Sequence, residues 1–386
     1  MDKDIRKTAS ELLFGLGILC EIIVAPSGFM TGGYGEKYTI FLGMLCFALS
    51  LAFSMELKRD WKIFLPLFLF AGVCYYVQHS ALILRITLIL LAGRPMDRRK
   101  VMKLFFFGTA LTILTGVGLS LAGIGNPMYV DDRFRHFEER RYCFGFLHPN
   151  SFMFFWVRLL LFGAWLYFES LPLWTWLPLS AFFLIPAWLA GSKIGLVLEI
   201  FTLLLILYLR LDKKKERRCF VLFTGGSVAM AGEFLLTASL FVVPWPVEYK
   251  WNLNTFWGIA NELTTGRLRH AKRLLNESSF GLLGSRQFGN VSEIGFIDSL
   301  YREGLVFVLL YLVLLVYLWI RLKKEKDEAG MMFCLVFTLY ALAESFLPYV
   351  NKNGVWLLFI AGLPAFIMPQ PASPVSPEVL NENTAH

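Results

Sequence analysis

The chain has 386 residues, of which 56% are hydrophobic and only 17% charged, with 37 Phe and 11 Trp. A soluble protein of this size carries roughly a quarter charged residues, so a soluble globular domain is excluded. The net charge of +8 is sorted by topology rather than gathered into a nucleic-acid footprint, and no nucleic-acid partner is expected.

Apolar runs recur along the whole chain, at or near the roughly 18 residues needed to cross a hydrocarbon core as a helix. They are continuous rather than alternating, which favours helices over a barrel. Twelve runs can be drawn, at about 8–25, 38–55, 61–78, 79–93, 103–123, 150–169, 171–189, 193–210, 219–243, 302–320, 330–349 and 354–369. The expectation is an all-α polytopic membrane protein of about 12 transmembrane helices, one multi-pass domain over 1–369 with no room for a separate soluble domain. Met1-Asp2-Lys3-Asp4-Ile5-Arg6-Lys7 could open a signal peptide. No small-residue cleavage site follows, so the first run reads as a retained helix. The fourth run is short and holds Arg85, and the sixth holds Arg158, so neither is a plain lipid-facing span.

Basic residues set the orientation. Lys3, Arg6 and Lys7 open one side, followed by Lys58, Arg59 and Lys62, then Arg94, Arg98, Arg99, Lys100 and Lys103. Arg210, Lys213, Lys214, Lys215, Arg217, Arg218, Arg321, Lys323, Lys324 and Lys326 complete the set. These make 21 of the 37 Lys and Arg, all in short connections on one side, which places both termini in the cytoplasm. The two larger connections, about 124–149 and 244–301, then face outward. Residues 370–386, rich in Pro, Ser, Glu and Asn, read as a disordered cytoplasmic tail. No internal repeat is evident, against a transporter of duplicated halves. The six cysteines lie mostly inside apolar runs, only Cys143 falling in a loop, with no disulfide or metal spacing.

The first outer connection carries Asp131, Asp132, Arg133, Arg135, His136, Glu138, Glu139, Arg140 and Arg141, then Gly145-Phe146-Leu147-His148-Pro149-Asn150. Clustered arginines suit a diphosphate, because guanidinium forks onto two phosphate oxygens. The alternative is a solvated loop in which they pair with the neighbouring acids. His148 stands at the mouth of a helix begun by Pro149, either as a proton-transfer group or as a cap. Lys193, in Gly191-Ser192-Lys193, is a further phosphate contact or an interfacial anchor.

The second outer connection holds Arg267, Arg269, His270, Lys272 and Arg273 on a predicted short amphipathic helix. Leu268, Ala271, Leu274 and Leu275 would form its apolar face, and a lipid-headgroup surface helix is the alternative function. Gly281-Leu282-Leu283-Gly284 follows as a turn, then Asp298 and Tyr301 before the tenth run. Glu21, Glu199, Glu233 and Glu344 are carboxylates inside apolar runs, and Glu344 lies near an outer end.

In this order the pieces resemble a family. Arg141 precedes Gly145 and His148-Pro149-Asn150; Ser192-Lys193-Ile194-Gly195 follows; then come Gly266-Arg267, Gly281-Leu282-Leu283-Gly284 and Asp298…Tyr301…Gly304. The chain resembles the Wzy-type polysaccharide polymerases of the O-antigen ligase and polymerase superfamily over about residues 60–350. It departs in Lys193, where that family has arginine, and in Ser299, where asparagine is common. The resemblance implies a GT-C-like membrane glycosyltransferase in the cytoplasmic (inner) membrane of a bacterium, metal-independent and without cofactor. It would join polyprenyl-pyrophosphate-linked oligosaccharide units on the outer face, beside flippase and chain-length regulator proteins. His148, His270 or Glu344 would serve as base, with Arg140, Arg141, Lys193, Arg267, Arg269 and Asp298 on the substrate and its diphosphate.

Three other readings remain open from sequence. A ligase would use the same chemistry with a different acceptor. A lipid-linked oligosaccharide flippase or transporter would put its charge in a central cavity of the spans rather than in outer loops. A structural scaffold would leave both outer loops without a purpose.

Overall fold

The computed structural model describes residues 3–31, 34–55, 57–132, 139–242, 255–264, 266–285, 292–342 and 344–360. The tail 370–386, the twelfth run beyond residue 360, and Arg133, Arg135, His136 and Glu138 lie outside the described residues. The described residues are helical, with turns between the helices, apart from one hairpin. Its first half runs α1 (Lys3–Thr31), α2 (Tyr34–Ser54), α3 (Leu57–Gln78), α4 (Leu82–Ala92) and α5 (Arg98–Leu121). The hairpin β1 (Tyr129–Asp132) and β2 (Glu139–Tyr142) precedes α6 (Pro149–Tyr167), α7 (Trp176–Leu189), α8 (Lys193–Leu211) and α9 (Lys215–Val242). The short helices α10 (Phe256–Leu263), α11 (Arg267–Glu277) and α12 (Gly295–Arg302) lead to α13 (Leu305–Glu325), α14 (Glu328–Ala341) and α15 (Val355–Ile360).

This is an all-α membrane protein. Among the described residues six helices are long and apolar enough to cross a bilayer: Gly35–Ser54 of α2, then α5, α6, α8, α9 and α13. Four further apolar helices are shorter, Phe64–Gln78, Leu82–Ala92, Leu173–Leu189 and Glu328–Ala341; α4, with 11 residues, rises about 16 Å against a hydrocarbon core of about 30 Å. α6 is the centre of the bundle, its Phe152, Met153, Val157, Leu161 and Phe162 all buried. The outer helices instead expose Leu111, Leu114, Leu204, Val313 and Val316, the apolar surface that acyl chains would cover. α1 and α2 pack face to face through reciprocal bonds: Ser10 Oγ donates to the Ser50 carbonyl (3.0 Å) and Ser50 Oγ to that of Ser10 (2.8 Å). Small hydroxylated residues allow such close approach where no hydrophobic drive exists between helices.

Ion pairs sort the connections into two ends. At one end Lys100 meets Glu11 (3.3 Å), Arg98 meets Asp327 (3.3 Å), and Arg218 meets Glu328 (2.9 Å). At the other, Gln78 Nε2 donates to the Leu283 carbonyl (2.8 Å), and Arg267 Nη2 to Glu344 (3.2 Å). Three of the connections, those with Arg98 and Lys100, Arg218, and Asp327 and Glu328, therefore meet at one end of the bundle.

Two expectations change. The first large connection is a β-hairpin with Val130 opposite Arg141 and Asp131 opposite Arg140, so the successive Arg140 and Arg141 take opposite faces. The eleventh run is helical only to Ala341; residues 344–354 then turn repeatedly. Pro348 cannot donate to a helix, and Asn353 replaces the lost backbone pairing. Its Nδ2 donates to the Leu347 carbonyl (2.9 Å) and the Tyr311 hydroxyl (3.1 Å).

The amphipathic helix expected in the second outer connection is α11. Leu268 and Ala271 are fully buried against Leu240, Ile294, Ile297 and Tyr301, so its apolar face meets protein. Lys272 is buried too, its Nζ donating to the Leu240 carbonyl (2.7 Å). The Gly281–Gly284 turn docks on the start of α13, the Leu305 and Val306 amides bonding to the Gly281 and Leu282 carbonyls. Gly284 (φ +82°) and Gly304 (φ +90°) make this possible. A Cβ on Gly284 would lie 2.1 Å from the Arg302 carbonyl oxygen, and one on Gly304 2.2 Å from the Gly284 nitrogen.

Candidate active site

A cavity of about 630 Å³ opens at the end opposite the basic connections. Glu36 and Ile40 of α2, Gln78 at the end of α3, Ser80 just after it, and Arg85 of α4 form one wall. Asn150, Ser151, Phe154 and Phe155 of α6 form another. Arg302, Glu303 and the turn with Glu344, Tyr349, Asn351 and Lys352 close it. Cations, carboxylates, amides and aromatic faces share one space, the composition of a site for a polar ligand with an apolar portion.

Most of these charges are matched. Arg85 grips buried Glu21 of α1 with two nitrogens, which is how an ion pair survives inside apolar helices. Arg302 Nε donates to Asp298 Oδ1 at 2.9 Å, four residues earlier on α12. Burial pushes the Asp298 carboxyl up to about 6 in spite of that guanidinium. Glu344 accepts from Arg267, whose Nε also lies 2.6 Å from Glu293 Oε2. Burial raises the Glu344 carboxyl and Arg267 opposes the rise. Lys352 packs over the Tyr349 ring at 5.1 Å, and burial lowers its ammonium against the pull of Glu344 and Glu36.

The expected site residues divide into three groups. Glu344 lines the cavity. Asp298, Arg267 and Arg141 stand one contact behind the wall, each holding a lining residue. Asp298 orients Arg302, Arg267 holds Glu344, and Arg141 Nη2 lies 3.4 Å from Asn150 Oδ1. Arg141 also donates to the carbonyls of Ala190 (3.1 Å) and Gly191 (3.3 Å), tying the hairpin to the α7–α8 turn.

The third group does not line the cavity. Arg140 faces outward over the Tyr129 ring at 4.1 Å and pairs with Asp131 at 3.5 Å. His148 caps α6, its Nδ1 accepting from the Asn150 amide at 3.1 Å, so its capping role is the one the geometry shows. His270 is exposed on α11; burial, then Arg269 and Arg273, lowers its imidazole. The Arg269 amide donates to Asn261 Oδ1 (3.0 Å), and Lys193 is exposed at the start of α8.

Sequence reasoning passed over Gln78, Arg302, Glu303 and Lys352. Arg85 and Glu21 stood out as ions within apolar runs, and Tyr349-Val350-Asn351-Lys352-Asn353-Gly354 is a polar interruption between two more. Those interruptions were the available signal. No family model matches the chain, and no curated protein or solved structure is similar to it.

Proposed function

We propose that this is a membrane glycosyltransferase that lengthens polyprenyl-diphosphate-linked oligosaccharides at this cavity. In this reading the shorter helices complete a GT-C-like arrangement of about twelve crossings. Both termini are cytoplasmic, and the cavity lies at the outer face of a bacterial cytoplasmic membrane. The observation that carries it is the cavity itself: Arg302, Lys352, the carboxylate of Glu344 and the aromatic side chains of Phe154 and Phe155 all line one space.

The chemistry needs little more. The donor already holds a good leaving group, so catalysis consists of stabilising the departing diphosphate, receiving the acceptor's proton and fixing both substrates. Arg302, made rigid by Asp298, and Lys352 serve the diphosphate. Asn150, Ser151, Ser80 and Gln78 offer hydrogen bonds to sugar hydroxyls. No metal or cofactor is required by this reaction. A ligase differs only in its acceptor.

Transport of the same lipid is the second reading, favoured by Glu199 and Glu233. These buried carboxylates on α8 and α9 have oxygens without hydrogen-bond partners among the described residues. Cells lacking the protein separate the two. Polymerase loss leaves single lipid-linked units at the outer leaflet, open to an external glycosidase or lectin. Units trapped on the inner leaflet would instead establish transport.

A further inference from the structure

Glu303 caps the C-terminus of α12, lines the cavity, and is only 3% exposed. Its Oε2 has neither a hydrogen-bond partner among the described residues nor contact with solvent. The guanidinium next to it in sequence, Arg302, forms its ion pair with Asp298. Gln78 Nε2 donates to the Glu303 backbone carbonyl (3.2 Å) and to that of Leu283 (2.8 Å), which fixes the residue in the cavity wall. An ionised carboxylate placed like this is costly and only partly offset by the Arg302 charge, so the site favours the moment at which it takes a proton.

The expected proton acceptors are worse placed. Glu344 is tied to Arg267, His148 has its Nδ1 occupied as a cap, and His270 stands outside the lining. We propose that Glu303 is the catalytic base, receiving the proton of the attacking sugar hydroxyl; this rests on the glycosyltransferase reading above. As the hydroxyl oxygen bonds to the anomeric carbon, its proton passes to the Glu303 carboxylate. The bond from that carbon to the diphosphate oxygen breaks, and its electron pair leaves with the diphosphate.

The titration of Glu303 fits this role. Burial, reinforced by Asp298 and opposed by Arg302, pushes its carboxyl up to about 7, where a proton acceptor is most effective near neutral pH. Tyr349 from the 344–354 turn and Cys74 from α3 also feel its charge. Glu36, Arg85, Glu344 and Lys352 line the same cavity.

The experiment measures lengthening of purified lipid-linked repeat units between pH 5 and 9 by wild type, E303Q, E303D and E344Q. In the wild type kcat should rise with pH and level off above about 7. E303Q should lose about 10²–10⁴-fold in kcat and its acidic limb, with KM little changed. E303D should recover part of the rate with a displaced limb, and E344Q should keep the limb. If E303Q melts early in detergent, the displacement in E303D decides. An E303Q enzyme within tenfold of wild type with an unchanged limb, or an undisplaced limb in E303D, overturns the assignment to Glu303 alone. A wild type that lengthens nothing overturns the glycosyltransferase reading and Glu303's role with it.

Discussion

Arg85 and Glu21 show what a charged residue inside an apolar run requires. Both side chains are almost wholly buried, at 7% and 0% exposure, and each is the other's compensation. Arg85→Ala should cost about 3–5 kcal/mol by stranding a buried carboxylate, read as a large drop in melting temperature in detergent. Arg85→Gln combined with Glu21→Gln should lose much less, because neither partner is then left charged. An Arg85→Ala protein that melts with the wild type would contradict the pairing. Each ion was visible in the sequence, but the partnership joins residues 64 positions apart, and no local pattern links α1 to α4.

The hairpin is the clearest case at the scale of an element. Neighbouring arginines in one strand have opposite fates: Arg140 lies outside over Tyr129, and Arg141 is inside with the α7–α8 turn. Arg141→Ala removes three hydrogen bonds and should free the hairpin, giving faster proteolysis between residues 124 and 149 and loss of activity. Arg141→Lys should rescue poorly, since an ammonium cannot reproduce the planar fork. Arg140→Ala should change stability by no more than about 0.5 kcal/mol. Equal protease sensitivity in the two Ala variants would contradict the division.

Legibility followed periodicity. The spacing of Leu268 and Ala271 disclosed α11 and its buried face, and Pro149 disclosed the start of α6. The strand alternation of Tyr129–Asp132 and Glu139–Tyr142 was masked by charge. The eleventh run concealed its turn because Phe346 and Leu347 are apolar whether helical or not. Long-range pairing decided the rest: Gln78, the adjacent Arg302 and Glu303, and Lys352 come from three separate segments and meet only once the helices pack.

Across the whole molecule, charge is divided between two ends with different tasks. The basic end is stitched by exposed or half-exposed pairs such as Lys100–Glu11 and Lys326–Glu216, which solvent screens and which add little to stability. The opposite end buries its ions around a cavity and orders them through Asp298, Arg267 and Arg141. Six helices form the frame, and α6, at its centre, contributes both core and cavity wall. If the cavity is where glycan is transferred, the energy needed is already stored in the donor's glycosyl-diphosphate bond. The most direct measurement supplies the purified, full-length protein in proteoliposomes with lipid-linked repeat units alone, and resolves the products by size. The account predicts a ladder of longer glycans without nucleotide sugar, ATP or added divalent metal, abolished by Arg302→Ala combined with Lys352→Ala. Units that stay single, or that cross the bilayer without lengthening, would contradict it.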